Sequence, residues 1–477
     1  MIKITKTIRQ KKHTALFVHE STKLKDVESH VGSDLAQLFQ AYKKAKKFED
    51  LVPHVIPTLM GPNQPRLIIV QIPKKTSVYN FRKAVGSIVR DFSKEEALQW
   101  VNIASISDWE LHLAQTIEMC TYLVPNQKSE QKESKPLLQH TIVTTNKSAV
   151  IEGEIVGQAV NKARSFANAP ANILTTTAFV EEIKALFKGD QRYSVKVLTE
   201  AQLKTKKMNA LLGVGQGSKY PSYLVDISYK GGSKDPEIAL VGKGVMFDTG
   251  GISIKPSRNM KEMKGDMGGA AAVVGAAWAV GHLNLKKNVS FLVPIVENMV
   301  SAEAQRPGDV VTASNGKSIE ITNTDAEGRL ILADALVYAA QKKVACILDI
   351  ATLTGASIIA LGPYAIPVMG NHQSVVDQLL SAAEIYNERC WQLPLFDDYK
   401  DLLKSDVADI LNANEGREAG TITAAKFLEQ FVDGVPWAHL DIASTMSTGS
   451  SKADQVKGMT GAGTRALISF VKEYTHK

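Results

Sequence analysis

The sequence predicts an α/β protein in two parts: a smaller N-terminal α/β domain over residues 1–148, a connecting helix over 149–168, and a larger C-terminal α/β domain over 169–477. Three observations carry this. In the C-terminal part, short apolar runs alternate with helical stretches, the rhythm of a mostly parallel sheet with helices on both faces. At 477 residues, the chain exceeds what one core ordinarily supports. Residues 125–136 (PNQKSEQKESKP) form a polar connector, and helical periodicity resumes beyond Ser148 and runs into Asn168.

Taken in order, strands are expected at 195–198 and 223–228, then at 237–241 (EIALV), an apolar run ending at Gly242. Ligands gather beyond the carboxyl ends of such buried strands, so Lys243 and Asp248 are expected at the exit. Gly250 and Gly251 permit a tight turn there. Asp266 stands before an alanine-rich stretch read as a helix, which puts its carboxylate at a helix start. After a strand at 289–294, a strand at 318–321 leads into Asn323-Thr-Asp-Ala-Glu-Gly-Arg and a helix beginning LILADALVYAAQ. Asp325 and Glu327 are two apart, so an extended segment would point both side chains the same way. Strands at 345–350 and 438–442 complete the series.

The residues 243–266 and 323–329 gather four carboxylates, Asp248, Asp266, Asp325 and Glu327, with Lys243, Lys255 and Arg329. Four carboxylates suit two divalent cations, and a carboxylate can bridge ions roughly 3.5 to 4 Å apart. No histidine lies in either block. Oxygen donors suit magnesium or manganese, and zinc also accepts Asp and Glu, so the metal stays open. Lysine coordinates only as a neutral amine, which requires burial and nearby cations to lower its pKa. Against this stands an ordinary alternative, because Asn, Asp and Thr before a helix are common caps. The two blocks together favour metal-assisted chemistry.

The segments NTDAEGRL, GKGVMFDTGGISIKP and DMGGAA closely resemble the leucyl aminopeptidase family, also called cytosol aminopeptidases. Further matches are NAPAN (168–172), DIATLTGA (349–356), SDVADI (405–410), ITAA (422–425) and WAHLDIA (437–443), so the resemblance covers about 161–471. It implies a catalytic dimetal peptidase domain. Lys243, Asp248, Asp266 and Glu327 are then ligands of a tightly held metal; Asp248, Asp325 and Glu327 are ligands of a more readily exchanged one. Lys255 is the cation that contacts the scissile carbonyl oxygen. Arg329 holds a bicarbonate acting as general base. Met263, Thr352, Leu353, Ala443 and Met446 line the pocket for the first side chain, and Asn323 and Gly355 join them as substrate-binding residues. The implied reaction removes an N-terminal residue, leucine-like by preference, through a hydroxide bridging two metals, in a homohexamer acting on peptides.

Two departures from the family pattern stand out: Gly265, at a variable position before Asp266, and 414–420 (NEGREAG), where relatives are often richer in glycine. Both bear on substrate preference rather than on the metal ligands.

Composition fits a globular enzyme, with 44% hydrophobic and 22% charged residues. No signal-peptide core follows the basic N-terminus and no apolar run reaches membrane-helix length. Three scattered cysteines, Cys120, Cys346 and Cys390, do not make a disulfide framework, so a reducing cytoplasm is expected. Charge is uneven: residues 1–150 hold 22 Lys+Arg against 14 Asp+Glu, net +8, and the remainder 34 against 35, net −1. The surplus is the charge pattern of a DNA-binding domain, with Lys43, Lys44, Lys46 and Lys47 as its first candidates, or of a solvated lysine-rich face. A non-catalytic scaffold is disfavoured, since every charged position of the family's site is present.

Overall fold

The computed structural model describes residues 2–9, 12–45, 49–56, 66–92, 97–104, 106–129, 139–235, 237–416 and 418–476. Two compact units emerge, one of residues 1–161 with 449–457, the other of 162–448 with 458–477. The helix Lys147–Asn168 runs through the division between them. Of the polar connector, 130–136 lies outside the described residues.

The first unit is built on a six-stranded sheet in the order Lys3–Thr5, Thr141–Val143, Gln99–Asn102, Thr14–Val18, Leu67–Gln71, Pro53–Ile56. Only the last pairing is antiparallel. The runs TALFV and LIIVQ are buried at every position, as strands covered on both faces must be. Phe17 and Trp100 belong to a cluster with Phe81 and Val85 of helix Val78–Phe92, and Leu16 to another with Phe39 of helix Ser33–Ala45.

The second unit holds a nine-stranded sheet. Its path runs Cys390–Gln392, Ile366–Gly370, Trp437–Asp441, Cys346–Ala351, Ile238–Gly242, Asn288–Asn298, Tyr223–Lys230, Tyr193–Leu198. The ninth strand, Gly244–Asp248, pairs the far end of Asn288–Asn298. The four central strands, from Trp437–Asp441 to Asn288–Asn298, are mutually parallel, whereas Tyr223–Lys230 and Tyr193–Leu198 join antiparallel at one side. The expected strands form with ends shifted by a residue or more; the one placed at 345–350 is Cys346–Ala351.

Strand alternation divides the two faces. Ala239 and Val241 point into one cluster with Leu330, Ile331 and Leu336 of helix Gly328–Gln341. Gly242, of the other parity, lies against helix Gly268–His282, so close that a Cβ there would stand 2.5 Å from Gly269 O. That helix is the alanine-rich stretch, and small residues on both partners are what allow so close an approach. Both helices begin near the carboxyl end of Ile238–Gly242, which converges their first turns on one place. Among the described residues no helix is long and apolar enough to cross a membrane.

Candidate metal centre

Lys243 follows the last residue of the central strand, its N–H donating to Ile350 O at 3.1 Å and its carbonyl accepting from Ala270 N–H at 2.8 Å. The chain turns into Gly244–Asp248 and delivers Asp248 beside Asn298, whose amide donates to Asp248 Oδ1 at 2.8 Å. Gly250 and Gly251 follow with φ of 88° and 66°. A Cβ on Gly250 would stand 2.5 Å from Ser253 O and 2.9 Å from Asp325 Oδ1, so this turn requires glycine sterically and conformationally. The turn carries Lys255 back toward Asp248. Asp266 follows the 3₁₀ turn Met260–Gly265, two residues before the helix Gly268–His282.

The second block departs from expectation. Asp325 and Glu327 do not lie in an extended strand: the strand ends at Glu320, Thr324 and Asp325 form a turn, and Glu327 sits at φ −77°, ψ −34° in the N-cap position of Gly328–Gln341. Convergence comes from the turn, because Asn323 and Thr324 tie it down. Asn323 Oδ1 accepts from Asp325 N–H at 2.8 Å, and Thr324 Oγ1 donates to Gly250 O at 2.7 Å, locking one block to the other.

The predicted ligands meet. Lys243 Nζ lies 2.9 Å from Asp266 Oδ2 and 2.8 Å from Glu327 Oε1, and donates to Thr352 O at 2.8 Å. Lys255 Nζ lies 2.8 Å from Asp248 Oδ2 and also pairs with Asp325. Asp248, Asp325 and Glu327 each offer an oxygen within 4.8 Å of the others. Asp266 Oδ2, Asp325 Oδ1 and Glu327 Oε1 are buried and met by the lysine ammonium groups, while Glu327 Oε2 is buried with no hydrogen-bond partner. Buried acceptors left so are costly unless a cation meets them. Four carboxylates against two ammonium groups leave a formal charge of −2, which a divalent cation would neutralise. The donor set therefore fits metal.

The electrostatics of the carboxylates agree, whereas Lys243, expected to be lowered as a ligand, is raised among them. Burial raises Asp266 well above the usual carboxylate range, with Lys243 pulling it back and Glu327 and Asp248 pushing it further up. Burial, with Asp248 and Glu327 nearby, brings Asp325 up to about 6. Burial acts to lower Lys243, but Asp266, Glu327 and Asp248 outweigh it and hold the ammonium above its ordinary value. Lys255 is raised in the same way, burial again being outweighed by Asp248 and Glu327. Burial pushes Arg329 down to about 10. Its Nη1 donates to Asn412 O at 2.7 Å, while its Nε is buried without a partner.

The expected pocket residues fall around this cluster with different engagements. Thr352 Oγ1 donates to Asp266 Oδ1 at 2.8 Å, and Met263 O accepts from Asp266 N–H at 3.2 Å. Leu353 and Ala443 share one anchor, both N–H groups donating to Asp441 Oδ1, at 3.2 and 3.1 Å. Met446 is half-buried near Gly265, whereas Asn323 and Gly355 are exposed. Asn298, Thr324, Asn412 and Asp441, none singled out in the sequence, do much of the positioning. A polar residue closing an apolar strand, as Asn298 does, was the available signal.

Residues 161–468 match the model described as the cytosol aminopeptidase family, catalytic domain. The chain belongs to the cytosol aminopeptidase family. Over 326 residues it is 49% identical to a probable cytosol aminopeptidase of Rickettsia rickettsii, covering 68% of this chain and 65% of that relative. The match to its Rickettsia canadensis counterpart is 48% over 324 residues, 67% of this chain and 65% of the relative. The chain thus spans 65% of the length of these curated family members. Among solved structures, the bottromycin maturation enzyme BotP in complex with Mn superposes with a TM-score of 0.85 at 32% identity, covering 97% of this chain and 99% of that one.

Proposed function

We propose that the chain is a metal-dependent aminopeptidase that hydrolyses the bond after the first residue of a peptide, preferring leucine-like first side chains. The observation that carries this reading is the carboxylate cluster, in which Asp248, Asp325 and Glu327 each offer an oxygen within 4.8 Å of the others and Glu327 Oε2 is buried without a hydrogen-bond partner. In it, Lys243, Asp248, Asp266 and Glu327 would hold one divalent cation and Asp248, Asp325 and Glu327 would hold a second. Bound there, the pair supplies Lewis acidity toward the scissile carbonyl and an activated water nucleophile. Manganese is favoured by the likeness to BotP in complex with Mn; zinc and magnesium also accept these donors.

The chain's own groups supply the rest. Lys255 reaches over Asp248 and Asp325 and presents an ammonium to charge developing on the carbonyl oxygen. Arg329, with Nε free to donate, holds a bicarbonate whose chemistry is that of a general base. Lysine would serve as a metal ligand only as the neutral amine, so Lys243, now paired with Asp266 and Glu327, would release its proton to solvent when a cation binds. Met263, Thr352, Leu353, Ala443 and Met446 receive the first side chain, with Asn323 and Gly355 at the rim.

Its partners in this reading are peptides and further copies of the chain in a cytoplasmic homohexamer, an assembly that light scattering weighs directly. Duplex DNA at the basic N-terminal part is the competing partner, suggested by the net +8 of residues 1–150. Lys43 already donates to Glu20 O and Thr22 O, at 2.9 and 3.2 Å, Lys44 is exposed, and Lys46 and Lys47 lie outside the described residues. DNA titration across salt concentrations tests this partner, and no binding even at low salt leaves the enzyme as the whole function.

A leucine chromogenic amide assayed before chelation, after chelation and after metal restoration tests the enzyme reading, with an N-acetyl-leucyl peptide alongside. Activity should vanish and return, and the acetylated peptide should be cleaved far more slowly. Chelator-resistant activity, or equal rates on free and acetylated peptides, overturns the reading.

A further inference from the structure

We propose that Met459 is a specificity-determining residue: its thioether occupies the space a side chain at position 265 would take and, with Met446, closes the inner wall of the pocket for the substrate's first side chain. This inference rests on the aminopeptidase reading above.

Gly265 ends the turn Met260–Gly265, next to Asp266 and two residues after Met263. A Cβ there would stand 2.6 Å from Met459 Sδ and 3.0 Å from Met446 Cε. A Cβ would therefore displace the Met459 thioether and press the Met446 methyl by a few tenths of an ångström, so a side chain at 265 and the Met459 thioether compete for one space. The glycine is what lets the Met459 thioether take this place.

The backbone holding them is fixed. Ser447 pairs with Met459 and Thr448 with Gly458 in a two-stranded antiparallel ribbon, and Thr460 N–H donates to Met446 O at 3.0 Å. Met459 N–H donates to Asn168 Oδ1 at 3.0 Å. Gly458, at φ 115°, could carry no Cβ without meeting that same oxygen at 2.7 Å. Only the side chains are left to adapt. Met459 is 2% exposed and Met446 is half-buried, so Met446 is the one a bound side chain can touch and Met459 supports it from behind.

A wall of two unbranched, polarisable side chains accommodates flexible aliphatic groups such as leucine and methionine. It also limits depth, which counts against phenylalanine and tryptophan. A methylene more or less in such a pocket is worth about tenfold in discrimination.

The test compares kcat/KM on alanyl, leucyl, methionyl, phenylalanyl and tryptophanyl amides for the metal-loaded full chain and for Met459→Ala, Met459→Leu and Gly265→Ala. Met459→Ala should raise the phenylalanyl-to-leucyl ratio about tenfold, and Gly265→Ala should lower the leucyl-to-alanyl ratio by pushing a thioether into the pocket. A merely structural role would change all substrates together and leave the ratios where they were, which overturns the proposal. If Met459→Ala does not fold, Met459→Leu is read by the same ratio: a shift supports the assignment and an unchanged ratio refutes it. A parent chain that cleaves none of the amides would refute the aminopeptidase reading and this inference with it, whereas normal leucyl cleavage with unmoved ratios refutes this inference alone.

Discussion

Lys243 Nζ stands 2.8 Å from Glu327 Oε1, and both side chains are buried. Gly328 makes that approach available, since a Cβ on it would fall 2.5 Å from Lys243 Cε and 2.7 Å from its Nζ. Gly328→Ala is therefore expected to displace Lys243 and weaken metal binding at least tenfold without touching a carboxylate. Glu327→Ala should abolish nearly all turnover in a folded chain. Metal titration with a fluorescent competitor, beside steady-state rates, reads both; a folded Glu327→Ala with near-normal turnover contradicts the two-metal reading.

Lys255 touches Asp248 and Asp325 but is partly exposed, as a group meeting substrate should be. Loss of one oxyanion-stabilising group typically costs about 10² to 10³ in rate. Lys255→Ala should lose turnover on that scale and keep its metal by elemental analysis. Arg329→Ala should be milder and partly restored by added bicarbonate. Were Lys255→Ala to lose its metal, Lys255 would be a ligand-positioning group instead.

The charged residues of the centre were readable in the sequence because their chemistry is unusual at that spacing. The strands were readable because EIALV and its neighbours are apolar runs closed by turn residues. What was not readable is the tertiary closure. The two-apart spacing of Asp325 and Glu327 suggested a strand, but Asn323 and Thr324 bend the chain first, through hydrogen bonds to Asp325 N–H and to Gly250 O. Asn412 and Asp441 carry no local signal, because each acts on backbone groups distant in sequence, such as those of Asn323 and Leu353. The inclusion of 449–457 in the N-terminal unit was likewise invisible to a division into the consecutive stretches 1–148, 149–168 and 169–477.

Acid stability of the first unit should reflect two opposed groups. His140 is pushed down to about 4 by burial, and its Nδ1 accepts from Leu98 N–H at 3.3 Å and Trp100 Nε1–H at 3.4 Å, which only a neutral ring can do. A folded pKa below the unfolded value means stability present above the ordinary 6.5 and lost as pH falls toward 4. Glu118 is raised to about 7, chiefly by burial, so its contribution is present below 4.5 and lost as pH rises toward 7. The two slopes oppose each other between about 4.5 and 6.5. Hydrogen exchange of 97–120 in the full chain should be nearly pH-independent there after correction for intrinsic rates. Glu118→Gln should expose the rising slope of His140, up to about 1.4 kcal/mol per pH unit. His140→Gln should expose the opposite one. Unchanged slopes in both variants would contradict the assignment.

Asn412 offers the sharpest test of how the centre is held. Buried completely, it accepts from Thr322 N–H at 2.8 Å and Asn323 N–H at 3.3 Å through Oδ1, and donates to Asn323 O at 2.7 Å through Nδ2. Its own backbone carbonyl takes the Arg329 Nη1 hydrogen bond. One residue thus fixes the turn before Asp325 and Glu327 and the arginine after them. Asn412→Ala removes the side-chain bonds and leaves the backbone groups of half-buried Thr322 and exposed Asn323 to water, a loss of about 1 to 3 kcal/mol in stability. The arginine bond survives, being to the backbone. Turnover at saturating metal should fall at least tenfold with a smaller change in KM, because the ligands move while the side-chain pocket does not. Asn412→Asp keeps the acceptor but turns an oxygen toward Asn323 O, and should be no better than alanine. A folded Asn412→Ala with unchanged metal affinity and turnover would show that the turn holds its shape without it.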